Sequence, residues 1–152
     1  MHFTNDPAMA TNRASTSSIS SFSLPVRVYY EDTDAGGVVY YANYLKFCER
    51  ARTDWLRAIG FEQGRLSAED GVVFVVRSVK ADYRQPAVLD DMLDVVSRVS
   101  RLGRASLIFD QQIQREGQPI FDAQITIACI DSTAKRAIPI PPAVRDQFAT
   151  LV

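Results

Sequence analysis

Histidine is nearly missing from this sequence: among 152 residues only His2 carries an imidazole. That excludes a Ser-His-Asp triad, a Cys-His dyad and a His-based zinc site, each of which needs an imidazole beside its other members. Any general acid or base must therefore be Asp, Glu, Lys or Tyr. Cysteine is scarce too. Cys48 and Cys129 sit among apolar neighbours with no histidine nearby to draw off the thiol proton, so both are expected to be buried, reduced thiols of a cytoplasmic protein. No apolar run approaches the ~18 residues of a membrane-spanning helix, so no membrane span is expected. The N-terminus lacks the basic-then-apolar order of a secretory signal. A net charge of −1 leaves no electrostatic footprint for nucleic acid, and no metal or cofactor is expected.

What remains is an ordinary globular composition, 47% apolar and 23% charged, at a length that suits one domain. Residues 1–24 are small and polar and are expected to form a disordered tail, with a single domain over residues 25–152. Pro25 to Tyr30 alternates and is rich in β-formers, which predicts the first strand. Tyr44, Phe47, Cys48, Ala51, Trp55 and Ile59 make one apolar stripe, which predicts a helix over about residues 42–59 with Asn43 as N-cap and Gly60 at its C-terminal end. A polar connection with a short helical turn follows. Strand patterns then run over Val72–Tyr83, Met92–Arg101, Arg104–Arg115 and Ile120–Asp131, with a hairpin at Glu116-Gly117-Gln118-Pro119 and a short closing helix containing Val144 and Phe148. A strand, one long helix and a meander predict an α+β fold, an antiparallel sheet curling round the helix.

Between the first strand and the helix lies Tyr30-Glu31-Asp32-Thr33-Asp34-Ala35-Gly36-Gly37-Val38-Val39-Tyr40-Tyr41-Ala42-Asn43-Tyr44. Three carboxylates fall within four residues, two glycines follow, and the chain enters a helix. The bland reading is a solvated acidic turn. The functional one puts acid groups next to the open N–H groups of a helix N-terminus, where the macrodipole favours negative charge.

This stretch, with Glu49-Arg50-Ala51-Arg52-Thr53, closely resembles the hotdog-fold acyl-CoA thioesterases, in particular the tol–pal-associated (YbgC-like) branch and its relative 4-hydroxybenzoyl-CoA thioesterase. Asp82-Tyr83 with Pro86-Ala87, and Arg101 to Ser106, are weaker matches. The resemblance implies a five- to six-stranded antiparallel sheet wrapped around one long central helix, and a homodimer with interface active sites, paired further into a homotetramer. It implies hydrolysis of a fatty or aromatic acyl-CoA thioester, with coenzyme A as part of the substrate. The family's catalytic carboxylate falls on Asp34, as nucleophile or general base, and its oxyanion-holding backbone amide on Tyr41. The tol–pal branch often has histidine at Tyr41 and the hydroxybenzoyl branch has tyrosine; a main-chain donor survives either side chain. Gly36 and Gly37 allow a close backbone approach to substrate. Arg101, Arg104 and Ser106 flank a turn where related enzymes contact the nucleotide, and Arg77, Lys80 and Arg84 are further candidates for the phosphates. Asp32, Asn43 and Glu49 are read as supporting residues, Glu49 having an exposed ion pair as its plain alternative. Tyr29, Tyr30 and Tyr40 are read either as acyl-pocket walls or as packing aromatics.

Two other readings stand beside hydrolysis. A hydratase of acyl thioesters on the same fold relies on a site histidine, which this chain lacks. A non-catalytic module binding acyl-CoA or an acyl carrier protein, in lipid metabolism or with an envelope-system partner, needs no chemistry at Asp34.

Overall fold

The computed structural model describes residues 20–152; His2 and most of the expected tail lie outside them. The elements in order are β1 (Ser21–Arg27), a 3-10 turn (Tyr30–Asp32), α1 (Asn43–Ala58), α2 (Gln63–Asp70), β2 (Val72–Tyr83), β3 (Met92–Leu102), β4 (Ser106–Arg115), β5 (Gln118–Asp131) and α3 (Pro142–Ala149). The strands form one antiparallel sheet in the order β1-β3-β4-β5-β2. Register shifts at Val76/Ser78, Val99/Arg101 and Ile113/Gln114 mark bulges, which increase local twist and help the sheet curl.

The core lies between one sheet face and α1. On α1 the buried residues are Asn43, Tyr44, Phe47, Cys48, Ala51, Arg52, Trp55 and Leu56, a stripe of helical period. The facing strands supply Leu93, Val95 and Val99 from β3, Leu107, Phe109 and Ile113 from β4, and Phe121, Ala123, Ile125, Ile127 and Cys129 from β5. Those β4 and β5 faces are the ones alternation predicts. Each fully buried aliphatic or Phe side chain contributes about 1.5–3 kcal/mol. Val144 and Phe148 of α3 are buried, and Phe148 meets the Trp55 ring edge-on at 6.0 Å.

Four local expectations are corrected. β1 begins at Ser21, inside the stretch assigned to the tail, because Phe22 and Leu24 alternate with serines and pack on the core; Phe22 stacks on Trp55 at 6.0 Å. Tyr30 is in the 3-10 turn and not in a strand, because the Asp32 carboxylate takes the Tyr29 N–H at 2.8 Å and folds the chain back. The N-cap of α1 is Ala42 and not Asn43, whose side chain is engaged elsewhere. The polar connection holds a helix of eight residues, α2, closed by Gly71 in the left-handed region at φ 65°.

The β4–β5 hairpin closes through Glu116 and Gly117, both at positive φ (51° and 77°), the two-residue turn whose twist suits flanking strands. β2 is an edge of the sheet. From Val76 onward its residues are exposed, including Val76 and Val79.

Candidate active site

The acidic stretch folds as two nested loops with different jobs. Asp32 is only 4% exposed. Its Oδ2 accepts the Tyr29 N–H at 2.8 Å, its Oδ1 accepts the Asn43 side-chain amide at 3.1 Å, and its carbonyl accepts the Tyr40 N–H at 2.9 Å. Burial of a carboxylate is costly unless such donors replace water; hydrogen bonds to a charged group contribute about 1.5–3 kcal/mol each. Asp32 thus ties the end of β1 to the entrance of α1.

Asp34 lies on the outer loop and is exposed. Thr33 and Val39 form an isolated bridge, and between them Asp34 N–H donates to the Val38 carbonyl (2.8 Å) while Gly37 N–H donates to the Asp34 carbonyl (3.0 Å). Asp34 Oδ1 accepts the Gly36 N–H at 2.8 Å and the Val38 N–H at 3.4 Å. Among the described residues its Oδ2 has no partner. Gly37 holds φ at 79°, and a Cβ on Gly36 would stand 3.2 Å from Asp34 Oδ1. Both glycines therefore serve the turn that aims this carboxylate.

Tyr41 follows at the α1 entrance, 63% exposed. The Asn43 N–H bonds the Tyr40 carbonyl at 2.8 Å, and the Leu45 N–H bonds the Ala42 carbonyl at 3.2 Å. The Tyr41 N–H has no acceptor among the described residues. A groove of about 270 Å³ runs beside it, lined by Val39, Tyr41, Tyr44, Tyr83, Arg84, Gln85 and Pro86. Its aromatic wall is continuous: Tyr83 meets Tyr44 at 5.4 Å and Phe121 at 5.0 Å, both edge-on.

The remaining expected residues are scattered. Glu49 is exposed, makes no ion pair among the described residues, and lines both a groove beside β1 and an apolar cavity behind α1. Arg101 and Arg104 are exposed at the β3–β4 turn, which Gly103 and Ser106 close by a 2.7 Å bond. That turn is at the β2-Val72 end of the sheet, whereas Tyr41 bonds Tyr83 at the opposite end. One chain alone does not bring these two groups together. Arg77 and Lys80 are exposed on β2, and Arg84 pairs with Asp122 at 2.5 Å. Tyr29, Tyr30 and Tyr40 are exposed and none lines the apolar cavity.

That cavity, about 330 Å³, is walled by Leu56, Phe74, Val76, Leu107, Phe109, Ile127 and Phe148, with Glu49, Arg52, Thr53 and Gln63 as its polar members. Arg52 is missing from the sequence-derived site residues. It is buried, and its Nη1 donates to Gln111 Oε1 at 2.8 Å; Gln111 in turn donates to the Cys48 carbonyl (2.9 Å) and to Ser97 Oγ (2.8 Å). The polar breaks at Ser97 and Gln111 in otherwise apolar inward faces were the available signal. Desolvation lowers the Arg52 pKa, opposed by the nearby Cys48 and Glu49. Burial pushes the Cys48 thiol up to about 12, so it offers no thiolate near neutrality, and both cysteines are free and buried as expected. Among the described residues no cluster of metal-ligating side chains occurs, and no helix is long and apolar enough to cross a membrane.

Residues 28–148 match the family model described as the thioesterase-like superfamily. The chain is 44% identical over 129 residues to the acyl-CoA thioesterase YbgC of Haemophilus influenzae, covering 85% of this chain and 95% of that protein. It is 44% identical over 128 residues to the acyl-CoA thioester hydrolase YbgC of Escherichia coli, covering 84% and 95%. Among solved structures, a probable thioesterase from Bartonella henselae superposes with a TM-score of 0.76 at 35% identity, covering 80% of this chain and 99% of that one.

Proposed function

From the premise that the chain belongs to the thioesterase-like superfamily and is a thioester hydrolase of hotdog fold, we propose that it cleaves acyl-CoA thioesters with Asp34 as the reacting carboxylate. The observation that carries this reading is the state of the Asp34 side chain. One oxygen is spent on the turn and the other has no partner among the described residues, on a loop that runs directly into the open end of α1.

The chemistry needs an attacking group and a holder for the oxyanion. Asp34 either attacks the thioester carbon, forming a mixed anhydride and releasing the CoA thiolate, or takes the proton of the water that attacks. Water then opens the anhydride in the first route. In both, the carbonyl oxygen gains charge and the Tyr41 N–H, backed by the α1 dipole, holds it.

The nucleotide end calls for a second copy of the chain. Among the described residues β2 is an unpaired edge carrying exposed Val76 and Val79. Two β2 strands paired antiparallel would extend the sheet across a two-fold axis and set the Val72 end of one against the Tyr83 end of the other. Arg101, Arg104 and Ser106 of the partner subunit would then lie at the same end as Asp34 and Tyr41, as the CoA phosphates require. The partner's apolar cavity lies at that end too and suits the acyl group.

The test is thiol release from short, long and aromatic acyl-CoAs, run beside Asp34→Asn. Turnover by the natural chain and its loss in the variant support the proposal. Equal turnover by both removes Asp34 from the chemistry.

A further inference from the structure

The carbonyl at the entrance of α1 is held from outside the helix. Tyr41 lies one residue before the Ala42 N-cap, so no helical N–H is due to its carbonyl, and the Leu45 N–H goes to Ala42 at 3.2 Å. The Tyr41 carbonyl instead accepts the Tyr83 hydroxyl at 2.8 Å, from the last residue of β2. No other donor reaches it among the described residues.

Tyr83 is itself firmly placed. Its ring packs edge-on against the buried Tyr44 and Phe121. The chain just beyond it is pinned, with the Arg84 and Gln85 N–H groups both on the Ile120 carbonyl (2.9 and 3.2 Å), the Ala87 N–H on the Tyr44 hydroxyl (3.0 Å) and the Val39 N–H on the Ala87 carbonyl (2.9 Å). Desolvation, with Tyr41, Tyr44 and Cys48 nearby, raises the Tyr83 pKa, so the hydroxyl keeps its proton through the neutral range.

A trans peptide points its N–H opposite to its C=O. Holding the Tyr41 carbonyl against β2 therefore faces the Ala42 N–H away from β2, and the Asn43–Tyr40 bond orients the preceding peptide, which carries the Tyr41 N–H. We propose that Tyr83 is a positioning residue for thioester hydrolysis: its hydroxyl fixes the Tyr41–Ala42 peptide and, through the shared Tyr41 Cα, restrains the neighbouring peptide whose Tyr41 N–H holds the oxyanion. This rests on the assignment of the oxyanion site to the Tyr41 amide. The sheet edge and the helix entrance, 42 residues apart in sequence, are thereby coupled at the reacting centre.

Tyr83→Phe removes the hydroxyl and keeps the ring. Full-length protein is assayed on the acyl-CoA that the natural chain turns over fastest. A donor removed outright from an oxyanion hole costs about 10²–10³ in rate, so a donor left in place but unfixed is expected to lower kcat by roughly 10–100-fold. KM should change far less than kcat, since one hydrogen bond to the neutral carbonyl contributes little to ground-state binding compared with the charged oxyanion. The second readout needs no turnover. An acyl-CoA with a carbon-13 carbonyl is bound to Asp34→Asn and to Asp34→Asn/Tyr83→Phe, and its isotope-edited infrared band is compared. The band should lie at lower frequency in the single variant, because fixed donors polarise the carbonyl. An unchanged kcat in Tyr83→Phe, or equal band positions, overturns the proposal while leaving the thioesterase assignment standing. If the natural chain releases no thiol from any acyl-CoA, the assignment beneath it fails instead.

Discussion

The Asn43 side-chain amide donates to Asp32 Oδ1 at 3.1 Å across eleven residues, joining the first helical residue to the turn that leaves β1. Because the other carboxylate oxygen holds the Tyr29 N–H, this bond fixes both ends of the loop that carries Asp34. Asn43→Ala leaves a buried carboxylate one donor short. It should destabilise the protein by about 1–3 kcal/mol, read as a lower urea midpoint, and should also reduce kcat because the loop loses its anchor. Asp32→Ala removes both bonds and should cost more than Asn43→Ala. Equal midpoints for the natural chain and both variants would show that the anchor has no energetic weight.

Asp34→Asn and Asp34→Ala should part company in structure while agreeing in activity. An asparagine oxygen still accepts the Gly36 and Val38 N–H groups, so the turn persists and stability should stay within about 0.5 kcal/mol. Alanine loses the one oxygen that accepts both bonds. Thiol release should vanish in each. Gly36→Ala supplies an independent check, since its new Cβ would stand 3.2 Å from Asp34 Oδ1 and must displace the carboxylate. It should lower kcat with Asp34 still present, and an unaltered kcat would show that the aim of the carboxylate is unimportant.

How far this was readable in advance depended on whether a residue's partner was local. Phe47, Ala51 and Trp55 announce α1 because burial repeats every turn, and Phe121, Ile125 and Ile127 announce the inner face of β5 because burial alternates. Asp34 stood out through its loop chemistry and family resemblance. Tyr83 did not, because its role depends on a carbonyl 42 residues away. Arg52 did not, because on a helical wheel it reads as surface charge until Gln111 and Ser97 appear opposite it. The start of β1 was hidden by Ser21 and Ser23, whose polar outward positions mask the inward pair Phe22 and Leu24.

Asp91 and Arg115 should make the fold sensitive to acid. Arg115 Nη1 lies 2.8 Å from Asp91 Oδ2, with the side chains 28% (Arg115) and 19% (Asp91) exposed. Desolvation opposes the Asp91 charge, but the Val88 N–H bond and the Arg115 guanidinium outweigh it and hold the carboxyl below its ordinary value. A carboxylate whose folded pKa is depressed adds stability above its unfolded pKa of about 4, and that stability is lost as pH falls through the lower folded value. Asp91→Asn should therefore lower the urea midpoint at pH 7 and bring the variant and the natural chain closer together near pH 3. A gap that stays constant across that range would remove the pair from the acid response.

The edge strand offers the test of a shared site. An exposed β-edge with Val76 and Val79 invites pairing, and a charge there opposes it. Val79→Lys should shift the protein toward monomer in light scattering. It should also abolish thiol release, although Val79 lines neither the groove at Tyr41 nor the apolar cavity. The stronger form uses two crippled chains. Asp34→Asn lacks the carboxylate, and Arg104→Ala lacks a candidate phosphate contact at the far end of the sheet. If each site draws Asp34 from one subunit and Arg104 from the other, a mixed dimer contains one site with both residues intact. Co-refolding the two variants should then give, at acyl-CoA well below KM, more turnover than the Arg104→Ala chain shows alone, since only the mixed dimer holds a site with Asp34 and an intact phosphate contact. No gain on mixing, with mixed dimers confirmed by mass, would place both residues in sites of a single chain and contradict the antiparallel pairing of β2.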